Sequence, residues 1–338
     1  MGIQRKSLPT SILCISVLIV IYGLVAVAPE PEPEPEPPSN GGKVSKTITV
    51  GKSGHVDFST IQSAINSIPV NNRAWVRVQV KNGVYGEKVQ IPIEKPFIVL
   101  EGESMKDTII AYGDYGLHKN ATFSVFADNV VARRISFYNT YNHPLNNGVN
   151  KNTIHEAAAA MVMGNRISFY ECGFYGLQDT LWDVQGLHYY KSCFIEGSAD
   201  FIFGLARSIF EKCVISVIDD GYITAQGRDS FEDRSAFVFK ECSVIGTGKT
   251  YLGRPWRCHS TVLFYNSSFS NAVVPQGWDI WNCHGHERDI TYVEHGCHGP
   301  GANTSKRVNW VKKLNNKMVS RMSSLSFINK RGWIEKQP

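Results

Sequence analysis

Residues 167–216 read "ISFYECGFYGLQDTLWDVQGLHYYKSCFIEGSADFIFGLARSIFEKCVIS", and inside them "ISFYEC", "YYKSCFIEG" and "IFEKCVIS" repeat one form: apolar, polar, polar, small, polar, apolar. Similar words stand at 135–140 ("ISFYNT"), 237–246 ("FVFKECSVIG") and 263–269 ("LFYNSSF"). Aligned on the small position they give Thr140, Cys172, Cys193, Cys213, Cys242 and Ser267. Rungs of about twenty residues, lengthened here and there by a loop, are the mark of a solenoid, because an insertion can leave at a turn without disturbing the stack. The repeated words are short, β-branched and aromatic, alternate in polarity and end at Gly, Asn or Asp, so they read as strands. No helical pattern separates them, which argues against βαβ units and predicts an all-β chain, a parallel β-helix. The ladder cysteines are read as small buried residues in adjacent rungs in preference to disulfide staples. Cys283 and Cys297, beyond the ladder, are left to pair with each other.

A solenoid needs caps at its ends. "DFSTIQSAINSIP" puts Phe58, Ile61, Ala64, Ile65 and Ile68 on one helical face before Pro69, which predicts a short N-terminal capping helix. "SKRVNWVKKL" at 305–314 is the expected C-terminal helical segment.

The 338 residues, 43% hydrophobic and 19% charged, suffice for a large core and carry too little charge for a disordered chain. Residues 1–28 stand apart: "QRK" precedes an apolar run over 8–28 that ends in small residues, a signal peptide or, if uncleaved, a signal anchor. "PEPEPEPEPP" opens a Pro/Glu-rich linker over 29–46, extended because alternating Pro blocks helix and sheet alike. The domain expected to carry chemistry is 47–338. Outside the leader and stalk stand 33 basic and 26 acidic residues, net +7, which suits an extracellular acidic polysaccharide better than nucleic acid. Seven cysteines remain beyond Cys14, an odd number, so at least one is unpaired within the chain. Sequons at Asn120, Asn266 and Asn303 fit secretion of a glycoprotein.

Asp179 lies seven residues after Cys172, and Asp200 seven after Cys193, so the two occupy one position of consecutive rungs. Equivalent positions in a parallel ladder are about 4.8 Å apart. Two carboxylates that close cannot both ionise freely, which makes an acid and a nucleophile out of identical side chains. Asp220 has the same offset from Cys213, but "IDDGYIT" lacks the surrounding apolar pattern and is read as a loop.

"GLQDTLW" (176–182), "DFIFG" (200–204) and "YLGRPW" (251–256), with "GVYGEKV" (83–89) and "ITAQGR" (223–228), resemble the signatures of plant-type pectin methylesterases, secreted carbohydrate esterases on a right-handed parallel β-helix. The resemblance runs from about residue 47 to the end. It implies Asp179 as proton donor and then base, Asp200 as nucleophile, Gln178 as the amide that stabilises the oxyanion, and Arg254 and Trp256 as substrate-binding residues. It implies hydrolysis of pectin methyl esters to pectate and methanol in the cell wall through an aspartyl acyl-enzyme. No metal or organic cofactor enters, the chain is expected to be monomeric, and a proteinaceous pectin methylesterase inhibitor is a candidate partner.

The sequence departs from the family pattern in "HEAAAAM" (155–161), where Glu156 replaces a glutamine that would donate to the oxyanion. An ionised Glu accepts and cannot donate. Loss of such a donor costs on the order of 10² to 10³ in turnover. Glu156 is therefore protonated in a carboxylate-rich cleft, swings away, or slows the enzyme; a working esterase favouring mildly acidic pH is the expectation. "YGDYGLHKNATF" (112–123) also differs from the Thr-rich stretch of family members, and no helical pro-region precedes the domain. The competing readings are a pectate lyase or polygalacturonase on the same solenoid, and a weakly active or non-catalytic pectin-binding protein.

Overall fold

The computed structural model describes residues 42–116, 120–145 and 154–338; the apolar leader and the Pro/Glu repeat lie outside the described residues. Three sheets run the length of the solenoid, and the strands within each pair in parallel: ten strands from Val44–Val50 to Thr291–His295, eight from Gly83–Tyr85 to Ser268–Phe269, and seven from Val89–Ile91 to Thr250–Pro255. One rung shows the path. Leu181–Asp183 lies in the seven-stranded sheet, Leu187–Lys191 in the ten-stranded sheet and Phe194–Gly197 in the eight-stranded sheet.

The corner between the ten- and eight-stranded sheets explains the repeated word. Arg134, Glu171, Ser192, Lys212, Glu241 and Asn266 turn the chain there with φ between 48° and 55°, the left-handed region, and the next residue of each points into the core. Those next residues are Ile135, Cys172, Cys193, Cys213, Cys242 and Ser267, buried throughout, each passing its carbonyl to the following rung, as in Phe194 N→Cys172 O at 2.9 Å and Val214 N→Cys193 O at 2.8 Å. Thr140 is not a member of this ladder. The words "ISFY" at 135 and 167 fall in different sheets: Tyr170 pairs with Arg133, so the partner of Cys172 is Ile135.

The expected pairing of Cys283 with Cys297 is also corrected. The disulfide joins Cys258 to Cys283, and Cys297, which follows Gly296 (φ 67°), continues the ladder with its thiol against Phe264 O. The four central ladder cysteines are free thiols in the core, as small residues at a crowded corner should be.

Inside the coil Phe169, Tyr190, Phe210, Phe239 and Phe264 stack rung upon rung at 5.0, 4.5, 4.6 and 4.4 Å. Each ring meets the face of the next in offset contact, which adds to the apolar area removed from water. A polar set interrupts this core: the buried Asp183 carboxylate faces His188 Nδ1 at 2.6 Å and accepts from Tyr190 Oη at 2.7 Å and from Ser208 Oγ. His188 Nε2 lies 2.7 Å from Gly164 O, so both ring nitrogens face acceptors and every group in the set is satisfied.

At the N-terminal end helix α1 (Ile61–Asn66) buries Ile61, Ala64 and Ile65 over the first rungs, as the periodicity predicts. The Glu87 carboxylate accepts from Ile61 N and Gln62 N, and Lys95 Nζ donates to Ile65 O and Asn66 O, so both poles of the helix meet opposite charge. The C-terminal helix is displaced from its expected place. Over 305–314 the backbone bonds outward to earlier rungs (Val308 N→Gln276 O, Lys312 N→Tyr292 O), and helix α2 forms at Asn316–Ser323, capped by the Asn315 side chain. Beyond it Ile328 and Trp333 cover Tyr189, Ile209, Val238, Leu263 and Val293 on the outer face of the ten-stranded sheet.

Candidate active site

Asp179 and Asp200 stand at the entry to neighbouring strands of the seven-stranded sheet. Asp179 N donates to Ala199 O at 3.0 Å, Gln178 bridges Ala199, and Leu181 pairs with Ile202, so the two aspartates are opposite one another in register. Both have left-handed backbones, φ 62° and 49°, a conformation that Asp tolerates better than most residues and that lets one residue turn the chain between sheets. The next rung has no such turn: Asp219 and Asp220 form a bend there, with Asp220 exposed, and the strand Gly221–Gln226 then crosses without interruption. Ile202 stands nine residues after Cys193 and its partner Thr224 eleven after Cys213, so the constant offset fails at Asp220.

The two carboxyls have unequal neighbours. Arg254 grips Asp200 with Nε 2.9 Å from Oδ1 and Nη2 2.6 Å from Oδ2. It reaches Asp200 from the strand Thr250–Pro255 across the intervening strand, where its partner is the small Ala225. Its guanidinium lies 4.1 Å over the Tyr222 ring and 3.9 Å over that of Trp281, which hold it flat. The Asp179 carboxyl has no hydrogen bond to the protein among the described residues. Burial pushes Asp179 well above the usual carboxylate range, and the charges of Asp200 and Glu156 push it further against the pull of Arg254. Burial also raises Asp200, but there the Arg254 hydrogen bonds and charge oppose it directly, with Asp279 pushing the other way. The arginine's own pKa is raised by the pairing, in accord with an ionised pair.

The remaining residues singled out from the sequence gather around this pair. Gln178 is half-buried beside Asp179, and its side-chain amide makes no hydrogen bond among the described residues. Glu156 lies in the chain just ahead of Ala157, whose N–H donates to Gln178 O, and its carbonyl accepts from Gly116 N. Trp256 stands edge-on to Phe203 at 6.2 Å, and Phe203 stacks on Trp182 at 5.5 Å. With Met161 and Ala225 these rings form an apolar floor on the outer face of the sheet, flanked by the carboxyl pair. Trp182, Phe203, Tyr222, Asp279 and Trp281 were not singled out from the sequence. Trp182 and Phe203 lie inside the quoted motifs; each follows a core residue of its strand, Leu181 or Ile202, so strand alternation places it on the outer face. Trp281 carries no comparable sequence signal, because the Cys258–Cys283 link that tethers its segment is legible only in three dimensions.

The family model described as "Pectinesterase" matches residues 47–331. Two Arabidopsis thaliana proteins are similar over most of their length: "Probable pectinesterase 29", 46% identical over 88% of this chain and 91% of its own, and "Probable pectinesterase 55", 48% identical over 86% and 91%. Among solved structures the chain is similar to the pectin methylesterase from carrot, with TM-score 0.79 and 26% identity over 92% of this chain and 98% of that one. The pectin methylesterase from Aspergillus niger matches with TM-score 0.75 and 27% identity, over 88% and 98%.

Proposed function

The chain belongs to the pectinesterase family of carboxylic ester hydrolases, and from that membership we propose that it demethylates pectin through an acyl intermediate on Asp200. The observation that carries this reading is the contrast within the carboxyl pair: Asp200 is clamped by Arg254, while Asp179 has no hydrogen-bond partner among the described residues and burial pushes it well above the usual carboxylate range.

An Asp200 oxygen attacks the C6 carbonyl carbon of a methyl-esterified galacturonate, and the carbonyl electrons move onto its oxygen. The free Gln178 amide donates to that oxyanion. Collapse expels the methoxy group, which takes the Asp179 proton and leaves as methanol, and the sugar remains bound to Asp200 as an anhydride. Asp179, now a carboxylate, removes a proton from water, and the resulting hydroxide attacks the same C6 carbonyl. The Asp200 carboxylate departs, the galacturonate carboxyl is left, and Asp179 is again protonated. Trp256 and the rings beside it offer flat faces to the sugars.

Glu156 fits this scheme as a charge beside Asp179 that helps keep it an acid, at the cost of one oxyanion donor. The Asp179 proton must be present and Asp200 ionised, so activity falls on both sides of an optimum. Residues 1–28 as a leader and 29–46 as a spacer carry the domain of 47–338 to the extracellular wall, where its positive charge meets an acidic polymer.

Methanol release from highly methylated pectin by the purified chain tests the proposal. Wild type releases methanol without unsaturated ends or chain cleavage, and Asp200→Asn, with an unchanged circular dichroism spectrum, releases none. Retained activity in that variant refutes the nucleophile, and unsaturated ends in the product refute the esterase.

A further inference from the structure

Trp281 has a backbone that the repeat of the solenoid does not require of it. Its φ is 46°, in the left-handed region, where a bulky side chain is strained. Asp179 and Asp200 take that conformation to turn the chain into strands, but Trp281 stands in a turn after the bridge of Gly253 with Trp278, and the next strand begins only at Thr291. What holds it is local. Asp279 Oδ1 accepts from Trp281 N at 2.6 Å, while Asp279 N donates to Gly253 O at 3.1 Å, in the strand that carries Arg254. A carboxylate that accepts a backbone N–H two residues on closes an Asx turn. The turn aims the indole, whose ring lies 3.9 Å from the Arg254 guanidinium.

Both ends of this segment are anchored. Trp278 is buried, stacks on Tyr292 at 4.2 Å, and donates from Nε1 to Glu294 Oε1 at 3.0 Å. Arg307 grips that glutamate with Nε and Nη2 at 2.8 and 2.9 Å, and donates besides to Val274 O, Pro275 O and Gly301 O. The Arg307 and Glu294 side chains are 4% and 5% exposed, so water does not compete for the pair. At the other end Cys283 is linked to Cys258. Backbone strain of this kind persists only where the surroundings over-determine it, and it gathers where a side chain has to be aimed.

We propose that Asp279 is a positioning residue of the esterase: it locks Trp281 in its left-handed turn, and the indole so placed holds the Arg254 guanidinium flat against Asp200. Its part in the reaction rests on the pectinesterase reading; it acts through Trp281 and Arg254 and not on the ester. Its charge works the other way, because Asp279 pushes the Asp200 carboxyl up against the pull of Arg254. The two effects separate by substitution. An asparagine keeps the Oδ1 acceptor and loses the charge, whereas an alanine loses both.

Asp279→Asn and Asp279→Ala, each alone and combined with Trp281→Ala, are compared with wild type by initial rates of methanol release from methylated pectin across pH, with thermal midpoints recorded. Asp279→Asn is expected to keep the wild-type kcat, with its acid limb moved to lower pH. Asp279→Ala is expected to lose about ten- to a hundredfold in kcat. Its acid limb lies above that of Asp279→Asn, because a loosened Arg254 no longer holds Asp200 ionised. In the Trp281→Ala background Asp279→Ala lowers kcat no further, since the residue through which it acts is gone. Equal kcat and equal acid limbs in the two Asp279 variants overturn the proposal, as does full additivity with Trp281→Ala. A rise in KM alone overturns it too, and leaves the indole as a platform for sugar. Deuterium uptake by the amides of residues 279–283 reads the lock without the chemistry, and is expected to be faster in Asp279→Ala than in wild type or Asp279→Asn. Unchanged uptake in Asp279→Ala removes the lock. The expected uptake pattern together with a wild type that releases no methanol sinks the esterase reading and leaves the lock standing.

Discussion

Replacing Arg254 by glutamine tests the division of labour between the two aspartates. The arginine and Asp200 side chains are 21% and 11% exposed, so the pair is largely shielded from water and its loss is not compensated by solvation. The substitution removes two short charge-assisted hydrogen bonds, at 2.9 and 2.6 Å, and the stacking on Tyr222 and Trp281. Breaking one side of a buried pair costs about 3 to 5 kcal/mol. If that cost falls on the ionised nucleophile, kcat/KM drops by roughly two to three and a half orders of magnitude. The sign for pH follows from the arginine's effect: it lowers the Asp200 pKa, so without it Asp200 ionises only at higher pH. The acid limb of the kcat/KM profile therefore moves upward, while the alkaline limb, set by Asp179, moves less. Initial rates of methanol release across pH, on protein whose thermal midpoint shows it folded, give both limbs. An acid limb that stays in place while the rate falls uniformly would mean that Arg254 only positions substrate, and the reasoning fails.

Three further outcomes follow from the same charges and links. Asp179 has a folded pKa above its unfolded one, so the folded state loses stability as pH rises through that window; Asp179→Asn removes the cost and raises the thermal midpoint at neutral pH, a gain that vanishes below the usual carboxylate pKa, and equal stabilisation at both pH values refutes the account. Glu156→Gln removes a charge that pushes Asp179 upward, so the alkaline limb moves to lower pH, and the added amide raises turnover at the optimum by up to about 10² to 10³; an unchanged profile and rate would rule out any role for Glu156. Cys258→Ala/Cys283→Ala opens a link between residues 25 apart, worth about 3.5 kcal/mol by loop entropy, and loosens the segment of Asp279 and Trp281 beside Arg254, so kcat/KM falls along with the thermal midpoint; a lower midpoint with kcat/KM intact removes that segment from the site.

The solenoid was legible because its corners impose a local rule: a residue that tolerates positive φ, then a small or apolar one. Where that rule is filled by cysteine, at Cys172, Cys193, Cys213 and Cys242, the register reads directly from the sequence. It misled at "ISFYNT", because a strand word of alternating polarity fits either of two sheets and carries no mark of which face of the coil it occupies. It missed Ile135 because an isoleucine fills the same corner without resembling a cysteine. The disulfide was illegible for another reason. Cys258 and Cys283 meet because the segment after Pro255 and the segment after Gly277 flank the same strand, a proximity fixed by Gly253 bridging Trp278. Counting seven residues from each cysteine puts Asp179 and Asp200 in the register that Leu181 and Ile202 share, and the same count at Asp220 fails because the next rung is longer.

The register also explains why identical side chains take different parts. The rung before Asp179 presents Ala157 and Ala158, and Glu156 just ahead of them, so on that side the charged neighbour among the described residues is a carboxylate. The strands after Asp200 present Tyr222, Tyr251 and Arg254, with the two tyrosines stacked at 5.3 Å and the guanidinium laid over one of them. A position along the solenoid axis is therefore also a position along a gradient of potential, from acidic at Glu156 to cationic at Arg254. Two aspartates in adjacent rungs sample that gradient about 4.8 Å apart. Exchanging which of them is the acid would require moving the arginine four rungs toward the N-terminus, to the strand of Met161, and the glutamate to the other end. The β-helix thus needs only one repeated turn to build the pair, and the unrepeated residues at its flanks to tell the two carboxyls apart.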